Sequence, residues 1–186
     1  DFHNNRTGET LTTTDDLWSP RAGLIFKPIN NLSLYANYSM TFVPRAGEQL
    51  ASLNATTQNL KPERFNNYEV GAKWDILPDL AATLAFYQLD RLNALATDPN
   101  NPAVSFLVNG QRTRGIEFGL SGNITDEWKI MGAYAFQEGK ITKSISTNAL
   151  AGATLAQVPE HTFSLWNRYD ITPQWGAGLG MIYRSK

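Results

Sequence analysis

Apolar and polar residues alternate along most of this chain with a period of two. Even positions from 32 to 40 carry Leu32, Leu34, Ala36, Tyr38 and Met40, against Ser33, Tyr35, Asn37 and Ser39. Further along, Tyr68, Val70, Ala72 and Trp74 oppose Glu69, Gly71, Lys73 and Asp75. Ile116, Phe118 and Leu120 oppose Glu117, Gly119 and Ser121. Trp128, Ile130, Gly132, Tyr134 and Phe136 oppose Lys129, Met131, Ala133, Ala135 and Gln137, and Trp175, Ala177, Leu179, Met181 and Tyr183 oppose Gly176, Gly178, Gly180 and Arg184. Side chains of a strand point to opposite faces in turn, so this pattern, held through about eight segments, predicts strands and excludes helices.

The segments come in pairs. "FKPINNLSLYANYSM", "WDILPDLAATLAFYQ", "GNITDEWKIMGAYAFQ" and "YDITPQWGAGLGMIYR" each end one strand, make a short turn rich in Pro, Asn or Asp, and begin the next. The starters Leu32, Leu80, Trp128 and Trp175 lie 48, 48 and 47 residues apart. A fixed period of this size marks a repeated unit, here one hairpin plus a long connection. A propeller blade of similar period would need four short strands instead of two long ones.

Strand length then points to the solvent. About 11 residues at roughly 3.3 Å, tilted near 40°, rise about 25–28 Å, the height of the apolar band of an outer-membrane barrel. Soluble strands average about 5–6 residues. The apolar face ends in aromatics on both sides: Trp74, Trp128, Tyr169 and Trp175 beside the short turns, and Tyr38, Tyr68, Phe86, Phe136 and Tyr183 at the far end. Two aromatic girdles around an aliphatic middle suit the two membrane interfaces. Short turns then face the periplasm. The long connections near Pro44–Arg64, Asn93–Val104 and Ile141–Val158 face outward from the cell. The polar face, with Glu69, Lys73, Asp75, Glu117, Arg168 and Asp170, is expected to line a lumen.

Composition removes other classes. A net charge of −1 argues against general nucleic-acid binding. With no Cys there is neither a disulfide framework nor a thiolate metal site. Mean hydropathy is −0.33, and no run of about 18 apolar residues exists. That excludes a membrane helix but not a barrel, whose strands average out as polar.

With these residues in place, "WSPRAGLIFKPINNLSLYANYSMTFVP", "LKPERFNNYEVGAKWDI", "NGQRTRGIEFGLSGNIT" and "VPEHTFSLWNRYDI" resemble the barrel of TonB-dependent siderophore receptors, most of all those for ferric catecholates and ferrichromes. The resemblance runs from Trp18 onward, with residues 1–17 a polar lead-in. It implies an all-β, antiparallel transmembrane β-barrel of 22 strands filled by a plug, in the outer membrane of a Gram-negative bacterium. It also implies import of a ferric siderophore with energy from the TonB–ExbB–ExbD complex. We expect residues 18–186 to be a middle-to-late section of such a barrel, with plug and TonB-binding segment elsewhere. A small structural or adhesive barrel of eight strands without transport is the competing reading, and a soluble ligand-binding barrel a third.

Ligand capture is the chemistry this resemblance implies. A ferric catecholate complex is anionic and aromatic, so cations and aromatics at the extracellular mouth would attract it. The inward phase places Arg45, Arg91 and Gln111 at the mouth, with Gln49 in the first long loop. Trp166, inward and low between Ser164 and Arg168, is expected to pack on a plug, as part of a lumen wall with Glu69, Lys73 and Glu117. Alternate glycines in "GAGLG", Gly176–Gly180, would leave that plug room. The carboxylates Glu69, Asp75 and Glu117 are expected to pair with Lys73 and Arg168. Neither His3 nor the outward-phase His161 offers an inward base, so no enzyme, metal site or bound cofactor is predicted.

Overall fold

In a computed structural model the described residues are 2–3, 5, 8–44, 60–97, 105–108, 110–143, 150–156 and 158–185. They form twelve strands: β1 Phe2–His3, β2 Thr10–Leu11, β3 Arg21–Ile29, β4 Leu32–Val43, β5 Glu63–Leu77, β6 Leu80–Leu92, β7 Ala94–Thr97, β8 Ser105–Val108, β9 Gln111–Asn123, β10 Trp128–Ile141, β11 His161–Thr172 and β12 Trp175–Arg184. Eight of them make one antiparallel meander in the order β12-β11-β10-β9-β6-β5-β4-β3. The pairs β1–β2 and β7–β8 are separate two-stranded ribbons. The second of these extends the connection between β6 and β9. Asn93 turns the chain into it with a positive φ of 57°, and its side-chain amide donates to the Pro62 carbonyl at 3.0 Å.

The eight long strands run from 9 to 15 residues, long enough to cross a bilayer when tilted. β5 begins at Glu63, so Glu63 and Arg64 belong to the wall and not to the connection before it. The cross-strand register keeps each predicted face together. Tyr35, Gly71 and Ala85 lie in one row with Glu117 and Ala135; the neighbouring row is Leu34, Ala72, Leu84, Phe118 and Tyr134. Because the period is two, these rows face opposite sides.

Register also yields the tilt. Trp74 is hydrogen-bond-aligned through Ala82 and Leu120 with Gly132, four residues from the girdle residue Trp128. Tyr68 at the other end is aligned through Gln88 and Arg114 with Glu138, two residues from the girdle residue Phe136. Two to four residues of stagger over three strand steps of about 4.8 Å corresponds to a tilt of roughly 25–40°.

Nothing resembling a water-soluble core is present among the described residues. Among the described residues only Leu11, Leu80 and Ala94 are buried apolar side chains, while Leu24, Trp175, Leu179 and Ile182 are each more than two-thirds exposed. A soluble barrel would have buried one of its faces. Nor does the sheet close on itself: β3 and β12 are edge strands, exposed at every residue. Free edges of this length are an aggregation hazard in isolation and are what a longer barrel wall would pair.

The repeat has a structural cause at the turns. The residue before each of three starters offers its carbonyl to the next hairpin: Asp75 N–H donates to Asn31 at 2.9 Å, Asn123 to Asp79 at 2.7 Å, and Asp170 to Glu127 at 2.9 Å. Each turn is thus tied to the incoming strand of the following unit. In three hairpins a register shift on the incoming strand precedes the turn, at Phe26/Ile29, Asp75/Leu77 and Asp170/Thr172. Such bulges bend a strand as it reaches a barrel rim. Gly122 serves the middle link: its φ is +140°, and a Cβ there would sit 1.9 Å from the Asp79 carbonyl oxygen.

Candidate functional site

The inward face is polar and studded with glycine, and three of its aromatics, Tyr35, Tyr87 and Trp166, lie across glycines of neighbouring strands. A Cβ on Gly71 would meet the Tyr35 ring at 2.6 Å, one on Gly115 the Tyr87 ring at 2.6 Å, and one on Gly180 the Trp166 ring at 2.4 Å. Each is a directly opposed cross-strand pair. The rings therefore lie flat along the wall, leaving the lumen open while covering backbone that glycine exposes. The "GAGLG" run finds a nearer occupant than a plug, since Trp166 also reaches within 3.0 Å of a Cβ on Gly178. Trp166 is still half exposed, so its outer ring face stays available to a lumen occupant.

That geometry carries a prediction. Gly180→Ala in the full-length protein should lower its urea unfolding midpoint, at a cost of about 1–3 kcal/mol from overpacking against the indole. Trp166→Leu in the same chain should recover most of it. A midpoint unchanged in the single variant would show that the ring has somewhere else to go.

Midway up, the Tyr35 hydroxyl donates to Glu69 at 2.7 Å, and the Lys73 ammonium lies 5.8 Å above the Tyr35 ring. Tyr87 donates to Gln137 at 3.0 Å. These groups stiffen the wall. The expected pairing of Glu69, Asp75 and Glu117 with Lys73 and Arg168 is not what forms. Arg168 is held by Asp170 on its own strand at 2.9 Å, with Lys129 reaching the same carboxylate at 3.2 Å. Two strand neighbours on one face are nearer than anything across a sheet this wide. Lys73 turns to Tyr35 instead, and Glu117 has neither a hydrogen bond nor an ion pair among the described residues. A cleft of about 570 Å³ opens on this side, lined by Gly23, Ile25, Tyr35, Asn37, Glu69 and Lys73.

At the extracellular end the structure brings two sequence candidates together. Arg91 and Gln111 are opposed residues of β6 and β9, and the guanidinium donates to Gln111 Oε1 at 3.3 Å. The same Arg91 forms an ion pair with Glu63 and lies 5.7 Å above the Phe65 ring. Glu63 is nearly fully buried and Arg91 about half exposed, so the carboxylate anchors the cation while its outer edge faces solvent. Sequence reasoning missed Glu63 and Phe65. Their odd phase, shared with Glu69, was a signal, but Glu63 fell within the connection expected near Pro44–Arg64. Arg45 and Gln49 lie outside the described residues.

His161 faces outward at the upper girdle. Its Nδ1 is hydrogen-bonded to the Tyr134 hydroxyl at 2.9 Å, and its ring packs on Tyr134 and Phe136. It is remote from Glu69 and Glu117. Among the described residues no cluster of three or more His, Asp or Glu side chains is placed to hold a metal ion.

Long tilted strands, an apolar outer face between aromatic girdles and a polar inner face define an arc of a transmembrane β-barrel wall. The chain belongs to the TonB-dependent receptor-like β-barrel family, whose model matches residues 1–186. Proteins of this family are Gram-negative outer-membrane proteins. The chain is 34% identical over 96% of its length to the "Probable TonB-dependent receptor BfrD" of Bordetella pertussis, covering 24% of that protein. It is 30% identical over 95% of its length to the "Probable TonB-dependent siderophore receptor PiuA" of Acinetobacter baumannii, covering 26%. Among solved structures, the closed form of the ferric-catecholate import receptor Fiu of Escherichia coli superposes with a TM-score of 0.72 at 27% identity, over 89% of this chain and 25% of that one. This chain thus spans about a quarter of the proteins it matches.

Proposed function

We propose that the protein to which this wall belongs imports a ferric siderophore across the outer membrane, using energy delivered by the TonB–ExbB–ExbD complex. The observation that carries the reading is the division of the sheet. A polar inner face, open along both edges, belongs to a family whose similar members include a siderophore receptor. A self-contained structural or adhesive barrel does not fit a sheet whose first and last strands are unpaired.

In this reading the exposed edge of Arg91, steadied by Glu63 and Gln111, offers a cation to an anionic ferric complex at the mouth, with Arg45 and Gln49 on the adjoining connection. Lower down, Glu69, Lys73 and Glu117 with Trp166 and Arg168 face the plug. Glu117, exposed and unpaired among the described residues, suits a basic plug group. The chain is assigned no catalytic role and no resident cofactor; the ferric complex is cargo.

Uptake by the full-length receptor in iron-limited cells tests this, with catecholate, hydroxamate and carboxylate ferric siderophores as the panel. Uptake of one that vanishes when TonB is deleted is the expected result. A correctly inserted receptor that takes up none of them overturns it. Within that assay Arg91→Ala should weaken binding of the transported complex by about tenfold, about 1.4 kcal/mol. Glu63 would then be buried without its partner, costing about 1–3 kcal/mol of local stability. Adding Glu63→Gln should restore assembly but not affinity, and recovery of affinity would remove Arg91 from the site.

A further inference from the structure

The ladder on β10 does not stop where β11 begins. Phe136 faces His161, and four residues further up β10 Lys140 is bridged to Thr154. Four residues of β10 therefore answer seven of the neighbouring segment, and three are in excess between Thr154 and His161. Above that excess the ladder resumes. The Ile141 N–H donates to the Ala153 carbonyl at 2.9 Å, and the Leu155 N–H to the Gly139 carbonyl at 2.8 Å. Bulges recur at barrel rims and beside functional sites, where they re-aim side chains.

This bulge is latched on the lumen side. Gln137, on the inward face of β10, donates from Nε2 to the Pro159 carbonyl at 3.1 Å and accepts the Tyr87 hydroxyl on Oε1 at 3.0 Å. Its backbone N–H donates to the Glu160 carbonyl at 2.9 Å. Two residues on, Gly139 is buried beneath Leu155 and Val158, which a Cβ there would meet at 3.2 and 3.4 Å. Gly139 shares the inward phase of Gln137, so both aliphatic side chains stand on the lumen face of the wall. Both remain partly exposed.

The apolar shelf so formed adjoins the cation at the mouth. Gly139 is aligned through Thr113 with Leu89, two residues from Arg91 on the inward face of β6. The strands β6 and β10 are two steps apart, about 10 Å, and Gln111, Thr113 and Ile141 floor the space between them. Arg91 offers charge at one side, and Leu155 with Val158 offers apolar surface at the other. A ferric anion chelated by aryl rings suits both, with its charge at the chelated metal and an apolar rim around it. We infer that Leu155 and Val158 form the apolar side of the ligand site and select an aryl-shelled ferric anion over a polar-shelled one, with Gln137 as the residue that positions them. This rests on the import reading and adds a determinant of selectivity to it.

Full-length receptor in lipid nanodiscs, titrated with ferric 2,3-dihydroxybenzoate and with ferric citrate, tests it. Both complexes are anionic, and only the first carries aromatic rings. Wild type should bind the aryl complex about tenfold more tightly than the citrate complex. L155S/V158S should lose most of that preference. Gln137→Leu should lose it too, because the Pro159 carbonyl then has no latch. R91A/E63Q should weaken both complexes by a similar factor and keep the preference, which separates charge from shelf. Equal binding of the two complexes by wild type overturns the shelf even if a variant fails to assemble, and it leaves the import reading standing. A preference that survives in L155S/V158S does the same. Uptake of no ferric complex at all by wild type brings down the import reading, and the shelf with it.

Discussion

Leu84→Arg in the full-length receptor should destabilise the barrel by about 2–4 kcal/mol, the cost of a guanidinium near the bilayer midplane. Ala85→Arg, one residue along, should cost little. Leu84 stands on the outer face between the girdles, in the row of Ala72 and Phe118. Ala85 stands on the inner face directly opposite Glu117, where an added cation meets water and a carboxylate unpaired among the described residues. Same strand, same substitution and adjacent positions leave only the face to differ. Refolding into vesicles with urea titration reads both variants, and equal losses would mean the lumen and lipid sides are wrongly assigned.

The second large effect lies at the turns. Gly122→Ala combines a backbone conformation that costs a side chain about 1–3 kcal/mol with a Cβ placed inside the Asp79 carbonyl. The clash is with backbone, so no rotamer relieves it. It would also break the hydrogen bond from Asn123 that ties the second hairpin to the third. We expect more than 3 kcal/mol in all and a sharp fall in heat-modifiable receptor in the outer membrane. Gly152→Ala is the matched control: its φ is +92°, but among the described residues no atom lies within 4 Å of the added Cβ. It should show the strain without the clash, about 1–2 kcal/mol. If both substitutions cost the same, close packing of the turns contributes nothing.

The same glycine shows how far the chain can be read directly. The recurrence of starters at 48, 48 and 47 residues was plain in the sequence. Its cause was not, because the carbonyls of Asn31, Asp79 and Glu127 look like any others until the next hairpin is beside them. At the mouth, Arg91 and Gln111 could be named from phase alone. Their anchor Glu63 could not, since the start of β5 carries no capping residue or turn that marks it. The glycines at 176–180 invited a plug, and the nearer occupant proved to be Trp166 from the adjacent strand.

By itself the sequence determined strand identity, the face of each residue, the short turns and the crossing of a membrane. All of these follow from a strict alternation of side-chain direction and from length, which are local properties of one strand. The tertiary structure alone decided what stands opposite what: Glu63 by Arg91, Trp166 over Gly180, Arg168 with Asp170 in place of Glu117, and a sheet left open at β3 and β12. Those depend on register and tilt between strands dozens of residues apart. A relative shift of two residues between strands would keep every face and change every partner.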